Sequence, residues 1–177
     1  MNILVNNEIV KFSHDDFPML ISGEPSAGSS FFSIELMVSL FKNGEKVMLF
    51  SAYEQAKKLF KEQVGDSINE NALIVESGDD NLFMAQLNNI SEKIILFKNI
   101  DNYNSGLFEK LKDNKLVIFS GDLDQCKFKN ELLRKEFKTN IFFSYPKCIE
   151  IKHKIDLPKY CGHIINNKYN GIIKVDL

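Results

Sequence analysis

Apolar residues in this chain fall into short solid runs set between longer stretches of helical spacing. The runs are Met19–Ile21, Val47–Phe50, Ala72–Val75, Ile94–Phe97 and Leu116–Phe119. Such runs with polar flanks are expected of strands buried on both faces, which have no solvent side to alternate towards. Between them, residues 30–42 hold eight apolar side chains among positions 31–41, which predicts a helix buried nearly all round. Residues 54–64 carry Ala56, Leu59, Phe60 and Val64 at helical spacing and end at Gly65. Residues 79–89, with Leu82, Phe83 and Leu87, and residues 107–111 predict two further helices. Strands alternating with helices predict an α/β fold whose mostly parallel sheet is covered on both faces.

The two ends of the chain have a different texture. Ile3–Val5 and Ile9–Phe12 flank Asn6-Asn7, a pair that tolerates left-handed backbone, and so predict a small hairpin. After Phe128, one more helix is expected over 130–137. Short strands follow at Ile141–Phe143, Cys148–Ile151, Gly162–Ile165 and Gly171–Val175, joined by polar turns of which Asn166–Gly171 is the clearest. These strands are expected to extend the sheet in antiparallel fashion. With no linker, repeat or low-complexity segment, residues 1–177 read as a single domain.

Candidate chemistry concentrates where the first core strand gives way to the apolar helix. Gly23-Glu-Pro-Ser-Ala-Gly28-Ser29-Ser30 fits the phosphate-loop pattern G-x-x-x-x-G-K-[ST] at every fixed position but one, with Ser29 in the lysine place. Two parts of such a loop are separable. Its glycines let backbone N–H groups turn towards a phosphate, and the helix N-terminus adds partial positive charge. The lysine adds a full cation, which this loop lacks, and Glu24 brings negative charge instead. Gly23, Ser26, Gly28, Ser29 and Ser30 are therefore the candidate phosphate-facing residues.

Residues 18–54 resemble the RecA-like P-loop ATPases, and among them the KaiC branch. Gly23-Glu-Pro25 is similar to the start of that family's loop, and Asn43-Gly-Glu-Lys-Val-Met-Leu-Phe-Ser51 is similar to its second strand. The resemblance implies a RecA-like three-layer α/β/α fold and ATP or ADP with magnesium as ligand. It also implies assembly into rings or head-to-tail filaments, with a protein partner or further copies of the chain. The departures from the pattern all bear on catalysis. Ser29 replaces the lysine and Ser26 a loop glycine. Tyr53-Glu54 replaces a pair of glutamates, leaving Glu54 alone to prepare a water. The magnesium-orienting aspartate falls at or near Phe97, and Asp101, a further candidate cofactor-binding residue, comes three residues late. The resemblance thus implies a pseudo-ATPase: a binding, regulatory or assembly protein. Its rival is an unconventional ATPase that uses a displaced lysine, Lys98, with Glu54 as base.

Charge distribution opens a third possibility. Residues 1–126 carry 11 Lys+Arg against 19 Asp+Glu, a net −8, whereas residues 127–177 carry 11 against 5, a net +6. A basic part can meet nucleic acid, or the acidic part of another copy. Arg134 is the only arginine. Cys148, His153, Cys161 and His163 have a spacing that fits no compact zinc knuckle. Three cysteines, an odd number, argue for reduced thiols and a cytoplasmic setting. No apolar run reaches the roughly 18 residues of a membrane span.

Overall fold

Pairing of the apolar runs builds one sheet of ten strands. In chain order they are β1 (Asn2–Val5), β2 (Glu8–Ile9), β3 (Met19–Ser22), β4 (Val47–Ser51), β5 (Ala72–Glu76), β6 (Ile94–Lys98), β7 (Val117–Gly121), β8 (Thr139–Phe142), β9 (Gly162–Ile165) and β10 (Asn170–Asp176). Across the sheet the order is β2-β1-β10-β9-β8-β3-β7-β6-β4-β5. This computed structural model describes residues 2–51, 54–65, 72–76, 93–98, 100 and 116–176. The helices expected at 79–89 and 107–111 lie outside those residues.

The RecA-like three-layer α/β/α architecture with a mostly parallel sheet is corrected by this arrangement. Five strand neighbours are parallel (β3 with β7 and β8, β4 with β5 and β6, β6 with β7) and four are antiparallel. The sheet is mixed, and the described helices are few: α1 (Ser29–Lys42), α2 (Glu54–Val64) and the five-residue α3 (Lys129–Leu133), with a 3₁₀ turn at His14–Asp16. The physical reason is connection length. Parallel neighbours need a crossover of a dozen residues or more, whereas a tight turn joins antiparallel ones. Asn6 and Asn7 take positive φ (50° and 70°) and turn β1 into β2, and the short 166–169 turn joins β9 to β10. The N-terminal strand β1 then pairs with β10, from Asn2 opposite Asp176 to Val5 opposite Ile173.

Three local expectations also change. Residues 148–151 form no strand, because the backbone N–H groups of Lys147 and Cys148 donate to the Asp124 carboxylate (2.8 and 3.1 Å) and are lost to any ladder. Helix α3 stops at Leu133 rather than running to 137. The chain must re-enter the sheet there, and Lys138 N–H donates to Pro18 C=O at 3.0 Å. Strand β2 ends at Ile9, since its continuation leaves the edge after Val10 N–H bonds Ile3 C=O at 3.0 Å.

Alternation along the strands sorts the core into two layers, one on each face. On the first, Met19, Ile21, Leu49, Leu96 and Ile118 pack with Phe32 and Met37 of α1 and Phe60 of α2. On the second, Leu20, Phe50, Phe97 and Phe119 pack with Phe128 and Leu132 of the α3 segment and with Tyr145, Ile149 and Ile151. Helix α1 is buried over most of its surface, as its composition predicts. Its one acidic side chain, Glu35, accepts a hydrogen bond from Gln63 of α2, which gives a buried polar group its partner. Among the described residues no helix is long and apolar enough to cross a membrane.

The segment entering β3 is tied to the β9–β10 turn by one buried carboxylate. Asp16 accepts from Ser13 N–H (2.7 Å) and Ser13 O–H (3.0 Å), and Lys168 Nζ lies 2.9 Å from its Oδ1. Burial pushes the Asp16 carboxyl up, but the Ser13 N–H and the Lys168 ammonium outweigh it and hold the carboxyl below its ordinary value of 3.8. A depressed carboxyl stabilises the fold above its unfolded pKa, and that contribution fades as pH falls through the folded value. Lys168→Met is therefore expected to cost about 1–2 kcal/mol at neutral pH, the lysine being half in water. The gap from wild type should close below about pH 4, as urea denaturation across pH would read out.

Candidate functional site

Parallel pairing brings the carboxyl ends of β3, β4, β6, β7 and β8 to one rim, and that is where ligands sit on such sheets. Ser22 of β3 lies opposite Gly121 on one side and Phe142 on the other. The 23–28 loop leaves this rim from the centre of the sheet. Gly23 N–H donates to Gly121 C=O at 3.3 Å, Leu123 N–H donates to Ser22 Oγ at 3.3 Å, and Glu24 N–H donates to Ser144 Oγ at 2.7 Å. The loop is thus moored to the segments that follow β7 and β8.

Within the loop, Pro25 and Ser26 form the centre of a turn closed by Ala27 N–H donating to Glu24 C=O at 3.1 Å. Proline in the second place and a positive φ of 68° at Ser26 mark it as type II, a position that glycine usually fills. Gly28, at φ 110°, is the N-cap of α1 and offers no side-chain oxygen to the first turn. Phe32 N–H makes the first helical bond, to Gly28 C=O at 3.0 Å. The N–H groups of Ser29, Ser30 and Phe31 have no acceptor within the helix, as at any helix start, and no acidic side chain stands in that turn. Gly23, Glu24 and Ala27 have committed their N–H groups inside the protein. What remains for an anion is the N–H groups of Ser26 and Gly28 and the first turn of α1.

The glycines answer to packing as well as to backbone conformation. A Cβ at Gly23 would lie 2.9 Å from Phe143 Cβ, and one at Gly162 would lie 3.0 Å from Phe143 Cε2. At Gly28 it would meet Tyr160 Cα at 3.2 Å and Phe143 Cδ1 at 3.3 Å. One phenylalanine occupies the space that three glycines leave open, and its ring also packs on Phe32 with centroids 5.3 Å apart. Neither Phe143 nor Tyr160 is suggested by the loop motif. Their only sequence signal is an aromatic next to a strand end, which is common.

A cavity of about 660 Å³ beside the loop is lined by Glu24, Pro25, Asp122, Asp124, Lys129 and Lys147 among others, and two more open at Ser30. One, of about 420 Å³, is lined by Ser26, Gly28, Ser29, Ser30, Phe31 and Tyr160 among others. The second, of about 390 Å³, lies between the starts of α1 and α2 and is lined by Ser30, Phe31, Gln55 and Lys98. Lys98 closes β6 on the α1 face and is 3% exposed. Ser51 and Ser120, at the ends of β4 and β7, point to the same face and are fully buried. Among the described residues Ser120 Oγ has no hydrogen-bond partner.

The candidate residues divide accordingly. Gly23, Ser26, Gly28, Ser29 and Ser30 form one contiguous stretch, with Ser29 buried beneath the loop and Ser30 exposed above it. Glu54 begins α2, is exposed, and ion-pairs with Lys57 one turn on, a placement that suits the helix dipole. Tyr53 and Asp101 lie outside the described residues. Phe97 stacks on Phe50 (5.3 Å) and meets Phe119 edge-on (5.7 Å) in the second face's core, away from the loop. Of the Cys/His set, His163 is buried and bridges Tyr145 Oη and Asn170 Oδ1, both at 2.8 Å. Burial and the adjacent Asp124 carboxylate push the Cys148 thiol up. Among the described residues no group of three or more His, Cys, Asp or Glu is placed to hold a metal.

Gly28→Ala combines a left-handed φ with a tight approach to the Tyr160 backbone, so it is expected to destabilise the protein by about 1–3 kcal/mol. Ser26→Gly, which relieves a positive φ without touching Phe143, should instead raise stability slightly or leave it unchanged. Denaturant midpoints of the two variants distinguish a loop under backbone constraint from one that is indifferent to it.

No family model matches this chain, and no curated protein matches it.

Proposed function

We propose that this protein is a catalytically inactive binding or assembly protein that holds the phosphate of a nucleotide such as ATP or ADP at the first turn of α1. The carrying observation is that α1 starts at a left-handed glycine with no side-chain cap, opening onto a cavity lined by Ser26, Gly28, Ser29 and Ser30. A helix start of this kind presents N–H donors and partial positive charge to an anion. The cavity's aromatic lining, Phe31 and Tyr160, suits the flat, apolar part of such a ligand. Turnover is not supported. Ser29 supplies no cation, and Phe97 has its ring buried in the opposite layer where the resemblance calls for a carboxylate. Ser30 alone is a poor magnesium site, so the described residues do not fit a bound Mg²⁺ and no step is routed through one.

A second reading, an ATPase with a relocated lysine, has one observation in its favour: Lys98 lines the same cavity as Ser30. A buried ammonium there is a reasonable phosphate partner, reached from β6 instead of from the loop.

Thermal-shift titration separates these readings. ATP, ADP or tripolyphosphate at millimolar concentration is expected to raise Tm by a few degrees, since ligand binding stabilises the native state by RT ln(1 + [L]/Kd). Ser30→Glu, which sets a negative charge at the helix start, should abolish the shift. No shift with any of the three removes the proposal. ATP hydrolysis lost in both Ser30→Ala and Lys98→Met would replace it with the second reading.

A further inference from the structure

Eight of the eleven basic residues of the C-terminal part lie on two segments that pack against one face of the sheet. The segments 127–138 and 145–154 both press their apolar residues into the second face's core: Phe128, Leu132 and Phe137 from one, Tyr145, Ile149 and Ile151 from the other. Their charged residues are left to face outward from that face. Over 127–154 there are eight Lys+Arg against three Glu, a net +5. Lys127, Arg134, Lys138, Lys147 and Lys152 are exposed, and among the described residues none of them is ion-paired. Lys154 leans over the Tyr145 ring, 5.6 Å from its centroid. The opposite face differs. There Lys57 and Lys58 of α2 are matched by Glu54 and Glu62.

We propose that the outer surface of residues 127–154 binds the phosphate backbone of a nucleic acid. Unpaired cations spread over one face attract a polyanion by releasing its condensed counterions, and this needs no shape complementarity. An acidic protein partner fits less well. Stable protein interfaces are anchored by buried aromatic and apolar side chains, and of the exposed large apolar residues described (Ile9, Phe31, Leu133, Tyr160) only Leu133 lies on these segments. Base-specific recognition is not expected. Lysines contact phosphate as point charges, and Arg134 is the one guanidinium available for bidentate contact with a base edge. This surface covers the face away from α1 and α2; Lys129 and Lys147 at its edge share a cavity with Glu24 and Pro25 of the loop, whereas Arg134, Lys138, Lys152 and Lys154 do not line it.

The test is fluorescence anisotropy of labelled mixed-sequence oligonucleotides, single-stranded and duplex, with the full chain at about 50 to 200 mM salt. Binding is expected, insensitive to sequence, with log K falling against log salt at a slope of about −4 for five engaged phosphates. The double charge reversal Lys152→Glu/Lys154→Glu should weaken binding tenfold or more and reduce the slope by about two. Arg134→Glu/Lys138→Glu should do the same. Lys58→Glu/Lys61→Glu on α2 should leave binding unchanged, and circular dichroism confirms that all three variants are folded. The proposal is overturned by absent binding at the lowest salt, or by equal loss in the α2 variant. Binding of polyglutamate in place of both oligonucleotides overturns it too, pointing to an acidic protein instead.

Discussion

The packing of Phe143 into the gap left by Gly23, Gly28 and Gly162 is the contact on which the rim of this molecule depends. The side chain lies just beyond β8, and the three glycines come from the loop after β3, the start of α1 and the start of β9. No side chain larger than hydrogen fits at Gly23 or Gly162 without displacing it, because interiors packed near crystal density have no slack to give. The ring thereby joins the middle of the parallel part of the sheet to the beginning of its antiparallel part. It also packs against Gly28, the N-cap of α1.

That contact gives the glycines two explanations at once. A phosphate loop needs glycine so that backbone can approach an anion. This loop needs glycine so that backbone can approach an aromatic ring. The second requirement is met within the protein, which accounts for Gly23 and Gly28 with no ligand at all. The functional reading therefore rests on the first turn of α1, its missing side-chain cap and the cavity in front of it, and no longer on the glycine spacing. Charge separates the molecule in a similar way. Lys57 and Lys58 on α2 are matched by carboxylates one turn away along the same helix, whereas residues 127–154 over the second face carry eight Lys+Arg against three Glu and project a net positive field into solvent.

Much of the fold could be read from the chain alone because burial on both faces leaves an unmistakable trace. The solid runs at 19–21, 47–50 and 94–97 each became a strand within one residue of the expected ends, and the all-round apolar helix at 30–42 formed as expected apart from starting at Ser29. The terminal strands were harder. Residues 148–151 carry a strand-like composition, yet a carboxylate from Asp124, twenty-four positions earlier, captures the backbone groups a ladder would need. No local pattern can report a competitor that distant.

Sequence by itself marked the main buried runs, where most of the strands and helices begin, and that Ser29 stands where the phosphate-loop pattern has a lysine. Those are properties of side-chain type and short-range spacing. Only tertiary structure decided how large a part of the sheet is antiparallel, that the two termini pair with each other through β1 and β10, and that Phe143 fills the loop's glycines. It alone set Lys98 and Ser30 on one cavity, and laid the lysines of 127–154 over one face. Each of these depends on contacts between segments far apart in the chain, and such contacts are chosen by the closing of the whole core rather than by any stretch within it.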